Sequence, residues 1–156
     1  MRLCVVAVGT KPPRWVRDAV EDYGARLPAD WRLDWREVRP EPRAAGGSPE
    51  RWRAAEAQRI RAALPEPAYV VALDERGDDL PSDALARRVG RWRESGRTPA
   101  ILIGGPDGLD AALLRDASER VRLSSLTLPH ALVRVLLAEQ LFRAWSILSK
   151  HPYHRA

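Results

Sequence analysis

The sequence predicts an α/β domain built on a mostly parallel sheet with helices on both faces, and three observations predict it. Apolar runs of strand length alternate with helical patterns along all 156 residues, the order that gives parallel sheets through crossover connections. The runs LCVVAV (3–8) and AYVVALD (68–74) are apolar at successive rather than alternate positions, as strands buried on both faces are. Glycine, proline and capping residues fall at the junctions between these segments, where chain reversals need them.

The first strand, 3–8, ends at Gly9. After Pro12-Pro13, Trp15, Val16, Ala19, Val20 and Tyr23 recur at helical spacing, which gives an amphipathic helix to about residue 26. WRLDWREV (31–38) alternates Trp31, Leu33 and Trp35 with polar residues, the pattern of a half-exposed strand. Residues 39–49 are rich in Pro and Gly and read as a mobile loop. Ser48 is the expected N-cap of a helix with Pro49 at its first position, running to about Leu64 with Trp52, Ala55, Ile60 and Ala63 on one face.

The strand at 68–74 leads into a turn through Gly77. Ser82 is the expected N-cap of the next helix, whose inner stripe is Leu85, Val89 and Trp92 and which Gly96 ends. AILIGG (100–105) is a fourth strand running into a glycine pair. A short helix at 110–118 precedes VRLSSLTL (121–128), the expected fifth strand-like segment, and the last helix runs from about Pro129 to Leu148. That helix is apolar almost all round, so it needs cover on more than one side. In a chain this small a homodimer is the economical cover, with a central place in one core as the alternative.

The chain length fits a single domain, 1–156, able to bury a core without disulfides. One cysteine, Cys4, excludes a disulfide framework and a multi-thiolate metal site, and its apolar surroundings make it a buried, inert thiol. No leader pattern and no run of roughly 18 apolar residues is present, so a cytoplasmic protein with no membrane partner is expected. The net charge of +5 and pI near 10.1 suit a nucleic-acid partner as well as many unrelated enzymes.

Ligands of open α/β sheets bind beyond the carboxyl ends of the strands. Three such ends carry unusual chemistry here: LDERG, GGPDGL and LSSLTLPH. None matches a dinucleotide or P-loop fingerprint. Gly104, Gly105 and Gly108 around Pro106 would let a ligand rest on the main chain, or form a tight turn. The LSSLTLP stretch is either a strand end or a loop offering backbone amides and an apolar wall. His130 begins the last helix, with Arg134 one turn on, and Glu139 and Arg143 stand at ion-pair spacing. Three histidines without a cysteine cluster give no metal-ligand spacing.

Taken together, VAVGTK (6–11), LIGGPDGL (102–109), LSSLTLPHALVRVLLAEQLFRAWSI (123–147) and the terminal HPYHR (151–155) resemble the SPOUT-class ribosomal RNA large subunit methyltransferase H family. The resemblance runs end to end and implies a C-terminal trefoil knot, a homodimer, and methylation of N3 of a pseudouridine in 23S rRNA on the assembled ribosome. S-Adenosyl-L-methionine is the implied methyl donor, and no metal is needed. Carried onto this sequence, the cofactor contacts are Leu73, Gly104, Gly105, Pro106, Leu123, Ser124, Ser125, Leu126, Thr127 and Leu128. The implied catalytic group is His130, Arg134, Tyr153, His154 and Arg155. His154 or His130 has the pKa to handle the proton, Tyr153 can stack on the base, and Arg134 and Arg155 can steady the imide anion or hold phosphates. On this reading Gly105→Val fills space the cofactor needs. The acidic DDLPS (78–82) departs from the basic residue common in relatives and puts one RNA contact in doubt. The terminal Ala156 departs from the usual Gly or Glu without expected consequence.

Overall fold

A computed structural model describes residues 1–155. Ala156 lies outside the described residues. Five strands, β1 (Arg2–Val8), β2 (Arg32–Val38), β3 (Ala68–Asp79), β4 (Thr98–Ile103) and β5 (Glu119–Arg122), form one sheet in the order β2-β1-β4-β3-β5. Every pairing is parallel. The helices are α1 (Arg14–Arg26), α2 (Pro49–Ala63), α3 (Ser82–Glu94), α4 (Ala111–Asp116) and α5 (His130–Leu148), followed by a single 3-10 turn at Pro152–His154.

Alternation along the strands builds two cores. Leu3, Val5, Ala7, Val71, Ile101 and Ile103 point to one face, where Leu85, Val89 and Trp92 of α3 and Leu137, Leu141 and Phe142 of α5 meet them. Cys4, Val6, Val8, Ala72 and Leu102 point to the other, under Ala57 and Ile60 of α2 and Leu113 of α4. Each large side chain so buried contributes roughly 1.5–3 kcal/mol of transfer free energy. Trp92 is buried with its indole N–H satisfied by Glu119 Oε2 at 3.0 Å. Cys4 is fully buried and its thiol pKa is pushed up, chiefly by burial.

The structure departs from the sequence reading at four junctions. β3 does not turn at Gly77 but continues to Asp79 through a bulge, with both Leu73 and Asp78 opposite Val121. Gly77 is needed there because a Cβ would stand 2.7 Å from the Val121 backbone. β4 stops at Ile103, and the glycine pair beyond it belongs to a turn. β5 stops at Arg122 instead of reaching 128, because the Arg122 guanidinium bonds back to the carbonyls of Ser124 (2.9 Å) and Ser125 (3.1 Å) and curls the chain off the sheet edge. Ser82 is not the N-cap of α3. Pro81 holds that position, and the Ser82 hydroxyl donates to Gln140 Oε1 at 2.7 Å, tying α3 to α5. Ser48 does cap α2, accepting from the Arg51 N–H.

Candidate active site

The carboxyl ends of β3 and β4, the loop after β5 and the first turn of α5 enclose a cavity of about 420 Å³. All ten residues singled out as cofactor contacts line it, and so does His130. Its size falls within the usual range of small-molecule sites. Leu126 stands at its lip, 76% exposed, an apolar surface with nothing against it.

The floor is the turn Gly105-Pro106-Asp107-Gly108, closed by the Gly108 N–H to the Gly105 carbonyl at 3.0 Å, with Gly108 at φ +80°. A Cβ on Gly104 would lie 2.8 Å from the Gly108 carbonyl carbon. One on Gly105 would lie 3.1 Å from Val8 Cγ1 and 3.2 Å from Glu56 Oε1. Gly104 is therefore required by chain packed on chain, and Gly105 sits tightly against two side chains. A side chain at 105 would point behind the turn, which corrects the expectation that Gly105→Val acts by filling ligand space.

The loop 123–128 is held open from its own side. Arg122 engages its carbonyls, Ser124 Oγ accepts from the Leu126 N–H at 3.0 Å, and the Ser125 hydroxyl donates to Asp79 at 2.7 Å. The acidic pair at 78–79 thus works inside the molecule: Asp78 pairs with Arg88 at 2.8 Å and Asp79 fixes the loop. Of the two alternatives for LSSLTLP, the structure takes the loop.

His130 projects from the start of α5 toward the end of β1. Its Nε2 lies 3.0 Å from the Val8 carbonyl oxygen. A carbonyl only accepts, so Nε2 carries the hydrogen and Nδ1 presents a lone pair. Desolvation of the ring pushes its pKa below the ordinary imidazole value, and the nearby Arg134 guanidinium adds to the fall, against the opposing bond to Val8. His130 is accordingly a neutral acceptor at neutral pH.

Of the five residues named as catalytic, only His130 lines the cavity. Arg134 is buried, donating to Glu37 Oε2 at 2.6 Å and to the Gly9 carbonyl at 2.7 Å. The tail packs along the C-terminal half of α5, from Glu139 to Ser146. Tyr153 meets Phe142 edge-on at 4.6 Å between centroids and donates its hydroxyl to Glu139 at 3.0 Å. Burial, with the Tyr23 hydroxyl and the Glu139 carboxylate beside it, pushes its pKa to about 12. Glu139 also binds Arg143 at 2.6 Å, the ion pair read from spacing. His154 Nδ1 sits 3.2 Å from Ser146 Oγ, whose own proton goes to the Arg143 carbonyl at 2.9 Å. The imidazole is therefore the donor there. Arg155 is exposed. From His130 to Ser146 is about 24 Å along the axis at 1.5 Å per residue.

Asp74, Glu75, Arg122 and Val133 also line the cavity and were not singled out from sequence. For the two acids the signal was present, because LDERG is a strand end. Among the described residues no cluster of three or more His, Cys, Asp or Glu is placed to hold a metal ion, and no helix is long and apolar enough to cross a membrane.

Against known proteins, the family described as predicted SPOUT methyltransferases matches residues 1–154. The chain is 58% identical over 156 residues to the ribosomal RNA large subunit methyltransferase H of Bordetella pertussis strain Tohama I, covering 100% of both chains. It is 56% identical over 155 residues to the protein of that name from Verminephrobacter eiseniae, covering 99% of each. Among solved structures, a probable methylase family protein from Haemophilus influenzae superposes with a TM-score of 0.56 at 13% identity, covering 99% of this chain and 70% of that one, a likeness of fold.

Proposed function

This chain belongs to the SPOUT methyltransferase family, and from that premise we propose that it methylates large-subunit ribosomal RNA at N3 of a pseudouridine, with S-adenosyl-L-methionine as donor. The observation that carries the reading is the cavity beside His130, walled by backbone, apolar side chains and the acids Asp74 and Glu75. Such a wall suits a heterocycle joined to a cationic sulfonium. The donor would rest against Leu73, the Gly104–Pro106 turn and the loop 123–128, and it supplies an electrophilic methyl group when bound.

The residues around it have a defined task. The N3–H of the target base is a weakly acidic imide, so its proton must leave as the nitrogen attacks. Nδ1 of His130 is the acceptor we assign to that proton, on a residue that lines the donor cavity. A donor held in the cavity would supply the methyl group to that nitrogen, and His130 would carry the displaced proton and release it to water. Holding the base within about 3–3.5 Å of the methyl, in line with sulfur, supplies much of the acceleration.

A homodimer completes the site. The tail folds along the C-terminal half of α5 and none of Tyr153, His154 and Arg155 lines the cavity of its own chain, so on this reading they reach a cavity across an interface. Trp15 on α1 is 54% exposed and Leu148 at the end of α5 is 42% exposed, apolar surface that a second copy would cover. A C-terminal trefoil knot is consistent with the chain leaving the sheet at the β5 edge and returning to lodge α5 against α1 and α3. On this reading substrate selection falls to the dimer surface and the assembled ribosome in the cytoplasm. Calorimetry tests the cavity: S-adenosylhomocysteine binds and raises the melting temperature, while ATP and NAD do neither. Protection by NAD and none by S-adenosylhomocysteine would replace the reading with another nucleotide enzyme.

A further inference from the structure

Glu56 is a buried titratable group that the chemistry above leaves unused. It lies on α2 at 2% exposure. Its Oε2 accepts from the Glu41 N–H at 2.9 Å and from Arg43 Nη1 at 2.7 Å. Its Oε1 has no partner, the single buried side-chain atom so placed among the described residues. That oxygen faces Gly105 from behind the turn, 3.2 Å from where a Cβ would stand. A carboxylate so buried is tolerable only with its cation in place.

The cation is bifunctional. While Nη1 of Arg43 holds Glu56, its Nε and Nη2 donate to Asp107 Oδ2 at 3.1 and 2.8 Å. Asp107 is the third residue of the cavity's floor turn, and its carbonyl accepts from Arg53 Nη1 of α2 at 3.2 Å. Arg43 comes from the Pro- and Gly-rich loop 39–48, and stacks over Trp52 at 5.2 Å. A guanidinium is planar, so two carboxylates bound to its edges are fixed in relative position as well as attracted.

We propose that Arg43 and Glu56 are positioning residues for the methyl-donor pocket. The Glu56–Arg43–Asp107 bridge sets the height and tilt of the Gly105–Gly108 turn and pins the 39–48 loop to its outer side. None of the three needs to touch the ligand through its side chain, because they act through the backbone the ligand rests on. The inference depends on the cavity being the donor site as read above.

The test is calorimetric binding of S-adenosylhomocysteine to the full-length wild type, Asp107→Asn, Arg43→Met and the double variant, with donor KM and kcat from methyl-transfer assays. Asp107→Asn keeps the Arg43–Glu56 pair and so keeps the fold even if Arg43→Met does not. Asp107→Asn is expected to weaken binding about tenfold, the scale of one charge-assisted hydrogen bond, with KM for the donor raised, kcat at saturation retained and melting unchanged. The double variant is expected to bind no worse than Arg43→Met. Wild-type affinity in Asp107→Asn, or full additivity in the double variant, overturns the bridge. If the wild type binds normally, that failure leaves the donor site standing, whereas no binding by the wild type overturns both.

Discussion

At the scale of single residues, His130 and the turn glycines carry the sharpest consequences. Replacing His130 by Gln keeps an N–H for the Val8 carbonyl and removes the titratable acceptor. Turnover is expected to fall about 10²-fold or more, the usual contribution of a general base, with S-adenosylhomocysteine affinity retained in calorimetry. Because the fold depresses the pKa of His130, the unfolded chain takes the proton first as pH falls. The stability His130 contributes is complete above its ordinary pKa and is lost as pH drops below it. Turnover as a function of pH should therefore hold down past the ordinary imidazole range before its acid limb begins, and a limb above that range would contradict the assignment. Gly105→Ala presses a Cβ onto Val8 and the anchored Glu56, so thermal unfolding should report about 1–3 kcal/mol of overpacking loss. The three strand ends that meet at the cavity were legible, because glycine pairs and strand ends announce close approaches, whereas of the five residues the resemblance named as catalytic only His130 lines it. The sequence did not show Glu56, since a glutamate on a helix reads as solvent-facing until the arginine that folds back on it, from the loop leading into that helix, is seen.

At the scale of elements, the tail and α5 form one unit. Phe142, Tyr153 and Glu139 bind the terminal turn to the helix, which a chain end with ordinary fraying would lack. Removing residues 151–156 should abolish methyl transfer and leave S-adenosylhomocysteine binding intact, at a cost of roughly 1 kcal/mol in unfolding from the lost aromatic contact. Retained turnover would exclude the tail from the chemistry. Strand order of burial, helix positions and the cap at Ser48 were legible because hydrophobic period and capping chemistry are local. The end of β5, the bulge at Leu73–Asp78 and the role of Ser82 were not. Each depends on a partner brought by the fold: the carbonyls that Arg122 captures, the backbone of Val121, and Gln140 on α5.

At the scale of the whole molecule, the proposed reading places its acceptor histidine at one end of α5 and its terminal histidine toward the other, so it predicts a second copy that brings them together. Sedimentation should give twice the chain mass of 17.5 kDa. Mixing the impaired His130→Gln protein with tail-deleted protein should raise turnover above that of either alone, because a mixed dimer holds one intact cavity opposite one intact tail. The most direct measurement is methyl transfer from labelled S-adenosylmethionine to ribosomes and large subunits lacking the modification, with the product nucleoside identified by mass spectrometry. The account predicts label in N3-methylpseudouridine of the large-subunit RNA, with the assembled ribosome preferred. Label in another nucleoside, or none while the protein binds the donor, would contradict it.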